Sequence, residues 1–108
     1  MQKLPQQAHE TTSRALLHGA FQAALQAADP SYAIPKFLKQ LFPQGIRGRC
    51  IVIGAGKASA SMADALERYA LVHWPQAILS GLVITRYGHD VHSPVPDRKI
   101  VICEAAHP

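Results

Sequence analysis

The sequence predicts an α/β fold: a Rossmann-like, mostly parallel sheet with flanking helices. Three observations predict it. Short β-branched runs recur at 49–53 (RCIVI), 81–85 (GLVIT) and 99–103 (KIVIC). A helical stretch from Lys57 to Val72 separates the first two, the strand–helix–strand order of a parallel βαβ unit. The first run then opens into a glycine-bearing turn, GAGK at 54–57, at the end of the strand where such sheets hold ligands.

Each element follows from its residues. Residues 1–10 are polar and read as a frayed end. From Thr11, the spacing of Leu16, Leu17, Ala20, Phe21, Ala24, Leu25 and Ala28 puts one apolar stripe on a helix, with Thr11 to Ser13 as candidate caps. Asp29-Pro30 stops it. A second helix is predicted over 36–42 (KFLKQLF), starting near Pro35, because proline is tolerated in a first turn but not mid-helix. Pro43, Gly45 and Gly48 mark a turn. The continuous apolar run RCIVI reads as a strand buried on both faces. On the helix that follows, Met62, Ala65, Leu66 and Tyr69 share a face, and Trp74-Pro75 closes it by packing. The connection 86–98 (RYGHDVHSPVPDR) has no helical period, and its 13 residues permit either a parallel or an antiparallel third strand. If all three strands run parallel, their C-terminal ends bring GAGK, TRYGH and EAAHP to one edge. The chain thus divides into a helical opening, 11–42, and a βαβ core, 49–104.

Composition narrows the function classes. A chain of 108 residues that is 48% hydrophobic suits one domain with a modest core. The net charge of +4 is scattered, with thin basic patches at Arg47–Arg49 and Arg98–Lys99, which argues against a nucleic-acid partner. Neither a signal-peptide apolar region nor a stretch of about 20 apolar residues is present, so no membrane partner and a cytoplasmic location are expected. Cys50 and Cys103, each beside an apolar run, read as buried reduced thiols.

The glycine loop can be tested against two phosphate-binding patterns. A Walker A loop needs a glycine five residues before Gly56 and a Ser or Thr after Lys57; Ile51 and Ala58 stand there instead. A dinucleotide loop needs a third glycine where Ser59 stands, and an acid after the second strand, which ends in Thr85-Arg86. More general physics survives both failures. Gly54 and Gly56 admit a ligand close to the backbone, the following helix points its free N–H groups there, and Lys57 adds a full positive charge. Ser59 and Ser61 offer hydroxyl donors. The competing reading is a tight βα turn with Lys57 simply solvated.

The segments VIGAGKASASMA (52–63), LVITRYGH (82–89) and EAAHP (104–108), in that order, resemble the N-terminal part of the glycerate 2-kinase family, the MOFRL group. The resemblance implies transfer of the ATP γ-phosphoryl group to the 2-hydroxyl of D-glycerate, with Mg²⁺. Some members carry the older label hydroxypyruvate reductase. Family proteins have two domains, and the resemblance covers only the first part, so the second domain is expected outside this chain and the 108 residues alone are expected to be inactive. The resemblance implies a catalytic role for Lys57 at the transferring phosphoryl group or the substrate. Gly54, Gly56 and Ser59, by the loop's physics, and Arg86, Gly88, His89 and His107, by their position at the strand ends, are the candidate substrate or phosphate contacts. Alternatives are an NAD(P)H-dependent hydroxypyruvate reductase and a non-catalytic sugar-phosphate-binding module.

Other candidates have plainer readings. His89 and His92 form an H-x-x-H pair, but no third ligand follows at a sensible spacing. Glu104 either pairs with Arg86 or helps hold Mg²⁺, and His9, His18 and His73 read as exposed or core-edge. A three-stranded sheet leaves an unpaired edge and an open face. Self-association, or swapping of the N-terminal helix, is therefore expected.

Overall fold

The computed structural model describes residues 6–91 and 95–106. Two helices come first, α1 (Gln6–Ala28) and α2 (Pro30–Leu41). Strand β1 (Arg49–Ala55), helix α3 (Ser59–His73), β2 (Ile78–Arg86) and β3 (Ile100–Ala105) follow. The α/β fold predicted from the three apolar runs is the one observed. The strands form one sheet in the order β1-β2-β3. Both pairings are parallel, which settles the direction of the third strand.

The boundaries shift for physical reasons. Gln6 to Glu10 are adequate helix formers, so α1 starts at Gln6, and Thr11 to Ser13 lie inside the helix rather than capping it. α2 begins at Pro30, not near Pro35. Asp29 is its N-cap, accepting from the Ser31 N–H at 2.9 Å and the Ser31 hydroxyl at 2.8 Å, and Pro30 occupies the first helical position. Those two hydrogen bonds hold the Asp29 carboxyl below its ordinary value. The cap is therefore fully made above that ordinary value of 3.8 and is lost as the pH falls through the lower folded-state value. Pro35 lies within α2 and costs it the hydrogen bond to the Ser31 carbonyl.

α3 covers one face of the sheet. Ala63 packs with Val83 and Ile100, and Val52, Leu79 and Ile102 close around them. A second cluster joins α2 to the end of α3 through Leu38, Ala70 and Trp74. Trp74 is buried, donates its backbone N–H to the Ala70 carbonyl at 2.8 Å and meets Tyr69 edge-on at 5.6 Å, which closes the helix as its sequence position suggested. Among the described residues nothing covers the opposite face of the sheet. Ile51, Ile53, Leu82, Ile84 and Val101 all point to solvent, which overturns the reading of β1 as buried on both sides. The alternation is that of a sheet with one covered face, although its residues suit two. Cys103 is exposed on the bare side and Cys50 is half-buried, so neither is a core thiol. Partial burial pushes the Cys50 thiol above its ordinary value. Among the described residues, no helix is long and apolar enough to cross a membrane.

The start of β3 is held by a buried carboxylate. Glu67 of α3 is 1% exposed and accepts the N–H groups of Lys99 at 2.9 Å and Ile100 at 3.1 Å. Arg98 beside it reaches Asp64 at 2.6 Å and lies 3.9 Å from Glu67. The helix thus fixes the register of a strand 33 residues further along the chain.

Candidate functional site

The loop after β1 is where the sequence and the topology agree. Gly56 has φ +127° with open space on its Cβ side, so backbone conformation rather than crowding requires a glycine there. Gly54 instead packs against Val83, which a Cβ would meet at 3.4 Å. Lys57 is exposed in the loop, two residues ahead of α3, which begins at Ser59. No side chain caps α3, so its first N–H groups are suited to an anionic ligand. Beside the loop lies a cleft of 410 Å³ bounded by Ile34, Gly54, Lys57, Met62 and Val83. A larger groove between α2 and α3, lined by Lys36, Lys39, Tyr69 and Trp74, includes none of the three motifs.

Hydrogen bonds fasten the three strand ends into one edge. The Gly56 N–H donates to the Ile84 carbonyl at 3.0 Å, and the Thr85 hydroxyl, itself buried, donates to the Lys57 carbonyl at 3.3 Å. The Tyr87 N–H reaches the Ala105 carbonyl at 3.2 Å, and the Gly88 N–H reaches the Glu104 carboxylate at 3.2 Å. The His89 N–H closes the turn onto the Arg86 carbonyl at 3.0 Å. GAGK, TRYGH and the start of EAAHP therefore stand side by side, with Lys57, Arg86 and His89 all exposed.

Individual residues land differently from one another. Ser59 is buried, and its hydroxyl lies 2.8 Å from both the Gly56 and the Ile84 carbonyls. Its one hydroxyl hydrogen thus points into the loop's own backbone. Each of those carbonyls also accepts a backbone N–H, so Ser59→Ala is expected to lower stability by only about 1 kcal/mol in urea unfolding. Glu104 holds the Gly88 N–H, and among the described residues Arg86 makes no ion pair with it. His107 and His92 lie outside the described residues. His73 is exposed and stacks on Tyr69 at 4.3 Å. Among the described residues no three His, Cys, Asp or Glu side chains converge as a metal site would require. The residues that sequence reasoning missed are Thr85 and Glu104 as ties between the loops. Their only signal was a polar residue at the end of an apolar strand.

Residues 16–108 match the model of a domain of unknown function, DUF4147. Two Agrobacterium vitis proteins, each named "Putative hydroxypyruvate reductase", are similar to the chain. One is 45% identical over 100 residues, covering 93% of this chain and 20% of that protein. The other is 56% identical over 61 residues, covering 56% of this chain and 14% of that protein. The chain thus spans about a fifth or less of the length of these curated relatives. No solved structure matches. The three motifs on one edge are what a parallel third strand implied, and the motifs that carry the resemblance lie within the matched residues, so the chain belongs to the DUF4147 family, the N-terminal domain of the glycerate 2-kinase (MOFRL) group.

Proposed function

We propose that this chain carries the anion-holding part of an ATP-dependent glycerate 2-kinase. The single observation behind this reading is the hydrogen-bonded edge that sets the Lys57 loop beside Arg86 and His89. Phosphoryl transfer is catalysed mainly by positioning and by charge placed where negative charge develops. The GAGK backbone, the open N-terminus of α3 and Lys57 suit either a transferring phosphoryl group or the carboxylate of D-glycerate. Gly54 and Gly56 allow close approach, and Arg86 and His89 supply the far side of the same edge. His107 is proposed with them on its motif alone. ATP would supply the phosphoryl group. Mg²⁺ would accompany the ATP phosphates, and the residues named here would hold the anion.

The names of the two relatives favour a second reading, an NAD(P)H-dependent hydroxypyruvate reductase. Against it, β2 ends in Thr85-Arg86, where a dinucleotide fold places an acid for the ribose.

The test is a graft. These residues replace the matched 100-residue stretch of the first Agrobacterium vitis relative. The graft is expected to consume ATP when given D-glycerate and Mg²⁺, and to bind ATP but not NADH in titration calorimetry. Lys57→Ala is expected to lower kcat/KM for glycerate at least about a hundredfold with an unchanged circular dichroism spectrum. NADH oxidation with hydroxypyruvate, and no ATP turnover, would reverse the ranking.

A further inference from the structure

β2 carries a polar group where its packing asks for an apolar one. Its covered face runs through Leu79, Val83 and Thr85, and Thr85 is 2% exposed. Valine has nearly the same shape and needs no hydrogen-bond partner, whereas a buried hydroxyl must find one. Thr85 finds it in the glycine loop, where its hydroxyl donates to the Lys57 carbonyl at 3.3 Å. Among the described residues nothing else donates to that carbonyl. Ser59 is different, because the Gly56 carbonyl that it reaches also accepts the Ser59 N–H at 3.1 Å. Thr85 is thus the single fastening of the Lys57–Ala58 peptide.

Peptide geometry carries this tie to the other side of the loop. In a planar trans amide the C=O and the N–H point in opposite directions, and the Lys57–Ala58 peptide is trans. With its carbonyl drawn to Thr85, that amide turns the Ala58 N–H away from β2. The preceding plane is held in the same manner, since the Gly56 carbonyl is drawn to Ser59 and the Lys57 N–H is turned from it. The Gly56 N–H is taken up by the Ile84 carbonyl at 3.0 Å. Among the described residues the Lys57 and Ala58 N–H groups have no protein partner, and the Lys57 side chain beside them is exposed. Successive N–H groups of this kind suit an anionic oxygen.

We infer that Thr85 is a positioning residue for the anion held at this loop: its hydroxyl locks the Lys57–Ala58 peptide plane and keeps the Ala58 N–H aimed at an anionic oxygen beside the Lys57 ammonium. This role rests on the reading of GAGK as an anion site. Being buried, Thr85 touches no ligand and acts only through the loop. Without the hydroxyl the plane is free to turn, and a turned plane presents a carbonyl to the anion in place of a donor. A β-branched side chain has few rotamers, so the hydroxyl is aimed by the strand itself. The same bond joins the Lys57 backbone to the residue before Arg86, which sets the spacing of the two cations along the edge.

The Agrobacterium vitis graft tests this role. Inorganic phosphate and D-glycerate are each titrated by calorimetry into the parent graft and into Thr85→Val, Thr85→Ala and Thr85→Ser, under conditions where circular dichroism shows each folded. Both variants without the hydroxyl are expected to bind at least one of the two anions at least about tenfold more weakly. Thr85→Ser, which keeps the hydroxyl, is expected to stay within about threefold of the parent. The anion whose affinity depends on Thr85 is the one the loop holds. Leu38→Ala, in the cluster between α2 and α3, lowers stability without touching the loop and is expected to keep the parent affinity. Parent affinity for both anions in Thr85→Val, or a serine variant as weak as the valine one, would overturn the inference; loss of binding in Lys57→Ala would then leave the anion site standing without it. Thr85-dependent binding in a graft that phosphorylates no glycerate would overturn the kinase reading and uphold the inference. A parent graft that binds neither anion would overturn both.

Discussion

Replacing Glu67 by Ala is expected to remove much of the chain's stability at 25 °C. The carboxylate, carried by α3, is buried, accepts two backbone N–H groups at the start of β3, and faces the Arg98 guanidinium. Alanine would leave two N–H groups and a largely buried cation without that acceptor. Removing one partner from such an arrangement costs about 3–5 kcal/mol. A domain of this size has little more than that to lose. Glu67→Gln keeps the volume and one acceptor but turns an amide NH₂ toward a backbone donor, for an expected loss of about 1–3 kcal/mol. Urea unfolding followed by circular dichroism measures both. An alanine variant within about 1 kcal/mol of the parent would mean that the carboxylate does not hold the strand.

The second large effect is expected at Gly81, in the central strand. Its φ is +154°, and it pairs with Val52 so closely that an added Cβ would lie 2.8 Å from the Val52 nitrogen and carbonyl carbon, and nearer still to the oxygen. These atoms are backbone and cannot swing aside. β1 and β2 would have to separate, so Gly81→Ala is expected to cost on the order of 3 kcal/mol or more and to expose the ladder amides of β1 to hydrogen exchange. Gly48→Ala is the control. Nothing lies within 4 Å of its Cβ position, and its stability is expected to stay within about 0.5 kcal/mol of the parent.

Much of this architecture was legible in the residues, and the exceptions share a cause. The runs around Ile51, Val83 and Ile102 are β-branched and bounded by turn residues, so each strand could be placed to within a few residues. The glycine turn is local chemistry and reads directly. Glu67 was not legible, because a carboxylate on a helix looks like a solvated one until the N–H groups of a distant strand are brought to it. Asp29, Pro30 and Pro35 offered rival stop and start signals within seven residues, and only the Asp29 cap geometry decides between them. Ser59 read as a ligand donor because its partners, the Gly56 and Ile84 carbonyls, belong to the folded turn. The bare face was missed for the opposite reason. Ile51 and Ile53 have the chemistry of a doubly covered sheet, but burial is a property of neighbours, and no element among the described residues supplies that layer.

The all-parallel ladder also sets how the molecule can assemble in time. Arg49 finds its place beside Ile78, and Gly81 beside Ile100, so neither pairing can begin at a tight turn. Chain-closure entropy must be met before the first ladder bond forms, whereas the helices need only local contacts. Helices should therefore form early and strands late. During synthesis the apolar segment Cys50–Ile53 must wait until all of β2 has emerged, and through that interval its main-chain groups are free to pair with another chain. The step most exposed to aggregation is thus the wait of β1 for its neighbour, ahead of any event at the finished surface.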